Sequence, residues 1–296
     1  MSDMRERAGG YEPSARQRER DAIRRRAARR STVTAFASTV VVTAVVVLAV
    51  VNTPGWPRVR KSFLDWDVAV ASLPKVLEGL WLNVRVLVVA AVVIFFFALV
   101  LAICRTLRGP VFFPLRAAAT AYVDLFRGLP LLLVLLVVGF GIPGLRIPWM
   151  TTSPVWLGGL AIVLTYSAYV AEVFRAGIES VHPSQVAAAR SLGLSRAQAT
   201  RHVVLPQAVR RVVPPLLNDL VALSKDSGLI SILGAYDAIR AAQVVTSQHA
   251  NFTPYIVAGF LFILLTIPLT RFTDAFARRS GWLGAQSGLA GGGALR

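Results

Sequence analysis

The chain has 296 residues, 55% of them hydrophobic, with mean hydropathy +0.60 and a formal net charge of +17. That apolar excess excludes an ordinary soluble domain and indicates long membrane-crossing runs. The lone Cys104 excludes an internal disulfide and a thiolate metal cluster, and at the end of an apolar run it reads as a small packing residue.

Residues 1–30 carry ten arginines and few large apolar groups, so a basic, disordered cytoplasmic tail is expected. A tail that binds nucleic acid is the rival reading of this charge. Residues 31–51 form an apolar run long enough to span. It is too long for a signal-peptide core, and no small-x-small cleavage site follows it, so it is read as an uncleaved anchor helix. Residues 52–78 are expected to be an extracytoplasmic loop. Within Pro54–Gly79, the residues Trp56, Phe63, Leu64 and Trp66 suit either an interfacial amphipathic helix or a plain loop with interfacial aromatics.

Further spans are expected at about 80–104, 115–141, 155–174, 207–227 and 254–271, giving six in all. The fifth is unusual, since it holds Pro214, Pro215, Asn218 and Asp219. A broken, polar span of this kind is tolerated where it faces protein or a water-filled cavity. The last span carries Pro268, and the Gly/Ala-rich tail 280–296 is expected to be disordered.

With the N-terminus inside, the inner segments and span ends hold 23 of the 32 Lys and Arg residues, and the outer loops hold six. This satisfies the positive-inside rule, places both termini in the cytoplasm, and puts the segment Pro183–Pro206 there too.

That segment is too patterned for a simple connection. Ser184–Leu192 is an Ala-rich helix candidate, and Gly193 can close it at the C-terminal cap. Ser195 with Gln198 forms a capping box that starts a second helical piece. Leu205-Pro206 is expected to turn the chain, because the residue before a proline avoids the helical region, with Pro206 in the first turn of the next span.

The same stretch resembles the cytoplasmic coupling loop of binding-protein-dependent, type I ABC importer permeases. Ala187-Ala188-Ala189 is followed at the family spacing by Gly193, and nine residues later by Val203 and then Leu205-Pro206. Ala187 stands where the family signature has glutamate. Phe126-Arg127-Gly128-Leu129-Pro130-Leu131-Leu132, Ser167–Gly177, Pro206-Gln207-Ala208, Asn218 and Leu223–Ser227 are similar to the polar amino-acid branch. The resemblance covers about Gly79 to Arg279. It implies an all-α permease bundle over 79–279, with the coupling loop at 183–206. It also implies an ATPase partner docking on Ala187, Ala188, Ala189, Gly193, Leu205 and Pro206, an extracytoplasmic solute-binding protein, and a second permease subunit, identical or paralogous.

A catalytic reading fails on inventory. His182, His202 and His249 form no His-x-x-x-His pair, so no zinc-hydrolase site and no other metal site is expected. Gly193-Leu194-Ser195-Arg196-Ala197 echoes a nucleophile elbow without the strand or the buried His that an elbow needs. Lys61, Lys75 and Lys225 are the only lysines and none follows a glycine, so there is no P-loop. The chain is therefore expected to be a non-catalytic membrane subunit without a cofactor, with ATP bound by a partner.

Ionisable residues inside spans are costly and either pair internally or line a path. Asp124 with Arg127 and Glu172 with Arg175 sit at i,i+3 spacing; Asp219, Lys225 and Asp226 cluster in the fifth span. Local neutralisation is one reading of each set. The other is a translocation path in which Asn218 and Lys225 supply donors and Asp219 or Glu172 an acceptor for an amino-acid zwitterion. The function expected is import of a polar amino acid. The alternatives are a permease for another small solute such as an opine or organic sulfonate, an ion-coupled secondary transporter, and a membrane-anchored assembly or signalling protein. No convincing internal repeat supports the secondary transporter. The signalling reading leaves the in-span charges and the Gly193 to Leu205-Pro206 spacing unexplained.

Overall fold

The computed structural model describes residues 14–107 and 109–279, and every regular element among them is helical. The chain divides into two units at Arg60. The first is dominated by α1 (Ala15–Val51), a single helix of 37 residues. Its apolar part, Arg30–Val51, is 22 residues long, about 33 Å at 1.5 Å per residue, which matches a bilayer core. The expectation of a disordered tail is corrected here: the chain is helical from Ala15, and residues 1–13 lie outside the described residues. Ala, Arg, Gln and Glu are good helix formers, and the adjoining span supplies the costly nucleus, so the helix propagates back through the basic residues. The tail 280–296 also lies outside the described residues.

The segment expected as a loop is largely helical. It contains α2 (Trp56–Phe63) and the start of α3 (Trp66–Thr106), a 41-residue helix that is N-capped by Asp65 and contains Pro74. Asp65 Oδ1 accepts from the backbone N–H of Asp67 and Val68.

In the second unit α3 lies beside α6 (Pro154–Glu179), and the two run the same way, since Val86 lines a cleft with Val155 near the start of α6 while Arg105 meets Glu172 toward its end. Small buried side chains, Ala90, Ala98 and Ala102 on α3 and Ala168 and Ala171 on α6, allow a close approach of the two backbones. Parallel neighbours require the connection to cross back, and α4 (Phe113–Gly128) with α5 (Leu131–Gly144) does so. The expected single span 115–141 is corrected to this pair, bent by 107°. Leu129, before Pro130, is forced to an extended conformation with ψ 137°, and Pro130 has no N–H to continue the ladder.

Beyond α6 come α7 (Pro183–Ser191), α8 (Arg196–Ala199) and a π-helical turn, Thr200–Val204, which runs into α9 (Leu205–Asp226). Two expectations fail here. The chain does not turn at Leu205-Pro206: Leu205 is helical, and its N–H reaches back five residues to the Thr200 carbonyl. Widening to the π register relieves the clash of a proline ring with the carbonyl four residues earlier. Nor is α9 broken at Pro214 and Pro215. The carbonyls those prolines leave without a partner belong to Arg210 and Arg211, two exposed residues. The break falls later, where Ser227–Leu233 becomes a 3-10 helix and Gly234, at φ +91°, redirects the chain into α10 (Ala238–His249). The segment 228–253 is thus helical rather than an open loop, and α11 (Thr253–Arg279) follows.

Among the described residues, four helices are long and apolar enough to cross a membrane, and up to six spans result if each bent pair counts as one. The α10–α11 corner is clamped to the end of α2. Asn251 Nδ2 donates to the Lys61 carbonyl at 3.0 Å, the Phe252 N–H donates to the Ser62 carbonyl at 2.7 Å, and Phe63 stacks on Phe252 at 5.1 Å.

Candidate functional site: a capped helical loop and a polar groove

The loop between α6 and α9 is built from local capping. His182 Nδ1 accepts the Ser184 N–H at 3.2 Å, and Pro183 occupies the first turn of α7. At the other end the Leu194 N–H bonds the Ala189 carbonyl at 3.2 Å and the Gly193 N–H bonds the Arg190 carbonyl at 3.0 Å. These two bonds form a Schellman motif, with Gly193 at φ +86° supplying the left-handed residue it needs. Both bonds of the Ser195–Gln198 capping box are present, at 2.8 and 3.3 Å. Arg190 Nη1 donates to the Leu194 carbonyl at 3.0 Å and braces the turn.

This loop has two faces. Val181, Ala189 and Ala199 are buried. Ala187, Ala188, Gly193, Leu205 and Pro206 are exposed, and Leu192 is 83% exposed.

Glu172 sits elsewhere. Its carboxylate accepts from Arg105 at the end of α3 at 2.8 Å and from Arg175, and Arg127 at the end of α4 lies 3.8 Å away. It gathers the ends of α3 and α4 onto α6. The expected Asp124–Arg127 pair does not form; Arg127 turns to Glu172.

Asp219 lies in different surroundings. It lines a cavity of about 240 Å³ between α3, α6 and α9, with Tyr166, Ile94 and Leu216 among the other walls. Its Oδ2 is buried without a hydrogen-bond partner. Glu172 is not among the lining residues. Asp226 accepts the Tyr166 hydroxyl at 2.7 Å, and Lys225 is exposed and in no ion pair among the described residues. Asn218 is exposed beside Asp219. Asn218, Asp219 and Lys225 thus share α9, while Glu172 belongs to the arginine cluster.

Two groups escaped the sequence reading. Arg105 was not paired with Glu172, 67 positions away. Asn83 and Asp237 were not singled out at all. Asn83 Nδ2 donates to the Ser227 carbonyl at 3.0 Å and to Asp237 at 3.1 Å, while its Oδ1 accepts the Ala238 N–H. A lone Asn in an apolar run, and an Asp three residues before an N–H that it caps, were the available signals.

Apolar spans, two of them bent, with a helical loop at one end and isolated polar groups within, define a multi-pass helical membrane protein. Residues 109–281 match the family described as the binding-protein-dependent transport system inner membrane component. The arginine transport system permease protein ArtQ of Bacillus subtilis (strain 168) is 32% identical over 217 residues, 73% of this chain and 97% of that protein. The probable glutamine ABC transporter permease protein GlnM of the same organism is 40% identical over 167 residues, 55% of this chain and 75% of that one. A crystal structure of an amino acid ABC transporter with histidines superposes with a TM-score of 0.67 at 31% identity, covering 73% of this chain and 98% of that one. The chain belongs to the family of binding-protein-dependent transport system inner membrane components, as a multi-pass permease subunit.

Proposed function

We propose that this permease subunit imports a polar amino acid across the bacterial cytoplasmic membrane, powered by a separate ATPase. The carrying observation is the doubly capped loop, which offers Ala187, Ala188, Gly193 and Leu192 as a stiff outer surface. Together with Leu205 and Pro206 it forms the ATPase-coupling surface; Ala189, expected on that surface, is buried and supports it from beneath. The chain has no P-loop, so ATP is bound and hydrolysed by the partner. ATP binding moves the docked loop, which is continuous with α9 through the π turn. Partner closure therefore biases α9 between inward-open and outward-open states. A second permease subunit and an extracytoplasmic binding protein complete the system, and both termini face the cytoplasm.

The relatives' names, which include arginine, glutamine and glutamate/aspartate permeases, support an amino-acid cargo. Asp219, Asn218 and Lys225 on α9 provide an acceptor and donors of the kind that a zwitterion needs, with few enough contacts to let it leave. The test is uptake of radiolabelled amino acids into vesicles holding the complete transporter and its binding protein. ATP-dependent uptake of one or more polar amino acids is expected. Uptake of a non-amino-acid solute alone would overturn the cargo assignment.

A further inference from the structure

We infer that the cleft between the middle of α3 and the first half of α6 is a site for one glycerophospholipid, with its phosphate held by Arg85 and an acyl chain lying along the cleft. The cleft has a volume of about 420 Å³ and is lined by valines, leucines and small residues from both helices, with Arg85 its single charged group. Arg85 is exposed and makes no ion pair among the described residues. A guanidinium at the edge of hydrocarbon is costly without an anionic partner.

The position of Arg85 names that partner. It immediately precedes Val86–Ile103, a run with no charged residue, and Arg105 follows that run. Twenty residues separate the two arginines, about 30 Å of helix, which is the thickness of the hydrocarbon core. Arg105 satisfies its charge on Glu172 at the end nearer the Pro183–Pro206 loop. Arg85 stands at the opposite boundary, level with lipid phosphates. Trp156, in the first turn of α6, also lines the cleft and is 69% exposed, as expected of a side chain at the headgroup level.

Length fits as well. From Arg85 at the boundary the lining runs to Val93 on α3, eight positions or about 12 Å, most of one half of the hydrocarbon thickness. The cleft therefore lies within one leaflet, open at Val89 and Val93, and floored by Ala90 and Gly159. Nothing lies within 4 Å of where a Cβ on Gly159 would be, so a side chain added there would occupy the cleft itself. An apolar helix seated in the cleft would leave the guanidinium unmatched, whereas a phospholipid supplies both the anion and the chain. Arg pairs readily with phosphate through parallel N–H bonds.

The test uses the assembled transporter, delipidated in detergent and titrated with a dioleoyl phospholipid while bound lipid is counted by native mass spectrometry. One tightly held phospholipid per copy of this chain is expected. Arg85→Leu should weaken its binding about tenfold, the worth of one charge-assisted contact. Gly159→Phe should displace the chain while Arg85 remains, and Arg85→Lys should restore part of the affinity. Lys75→Leu, on the same helix outside the cleft, should change nothing. Dioleoylglycerol, which lacks phosphate, and glycerol phosphate, which lacks chains, should both compete poorly. Unchanged lipid retention in Arg85→Leu and Gly159→Phe would overturn the inference. So would equal competition by dioleoylglycerol, or a photoreactive group at Val89 that crosslinks to polypeptide instead of lipid.

Discussion

Replacing Glu172 by Gln keeps the side chain's volume and removes its charge, which separates a structural role from a place on the path. Arg105 is only 12% exposed at its side chain and Arg175 28%, and both bond the Glu172 carboxylate. Removing one partner of a fully buried pair costs about 3–5 kcal/mol, since it strands the other charge. Glu172 is itself 20% exposed and Arg127 41%, so water relieves part of the loss. An amide oxygen still accepts one bond. Roughly 2–3 kcal/mol is therefore expected. At about 2–4 °C per kcal/mol for a domain of this size, the melting temperature of the purified complex should fall by roughly 4–12 °C. The double variant Arg105→Leu/Glu172→Leu should be less destabilised than the sum of its single variants, because the two side chains share one contact. Melting is followed by intrinsic fluorescence in detergent, with uptake measured in parallel. Unchanged melting with strongly reduced uptake would refute the structural role and return Glu172 to the translocation path.

Asp219→Asn removes a carboxylate with an orphaned, buried oxygen, so melting should hold or rise while vesicle uptake falls several-fold; a drop in stability with normal uptake would show that Asp219 is structural. Lys225→Met should also reduce uptake without changing melting, because the exposed ammonium neutralises neither Asp219 nor Asp226; uptake equal to wild type would count against its facing the path. Gly79→Ala would place a Cβ 2.4 Å from the Asp237 carbonyl carbon, against backbone that Asn83 holds in place. It should destabilise the complex by about 1–3 kcal/mol, read as a lower melting temperature, and an unchanged one would contradict the packing of α3 on α10.

Much of the loop was legible because its signals are local. Gly193 closes α7 through bonds spanning three and five residues, and Ser195 and Gln198 cap each other across three positions. The spans were legible from apolar runs. Where they bend was not. Hydropathy carried 115–141 straight through Leu129-Pro130, although the residue before a proline disfavours helix. The same rule was applied at Leu205-Pro206, where a π turn overrode it. Pro214 and Pro215 suggested a break that solvated carbonyls made unnecessary. The polar clusters depend on tertiary neighbours. Arg105 meets Glu172 only once α3 and α6 run parallel, and Asn83 meets Asp237 across 154 positions. No sequence spacing encodes such pairs.

Coupling through the Pro183–Pro206 loop is tested most directly by adding bulk to its outer surface. Ala188 is exposed on α7, and no atom lies within 4 Å of where a Cβ on Gly193 would be. Ala188→Trp leaves the backbone unstrained. Gly193→Trp adds about 1–2 kcal/mol of left-handed strain, which the assembled subunit can absorb. Ala188 is exposed and a Cβ on Gly193 meets no described atom within 4 Å, so a large effect on coupling with normal insertion points to the partner. The measurement is ATP hydrolysis and amino-acid uptake by the same reconstituted transporter, with and without binding protein. In both variants uptake should fall at least tenfold and hydrolysis should lose its stimulation by loaded binding protein, while membrane insertion stays normal. Wild-type uptake and stimulation in both variants would contradict docking at this loop.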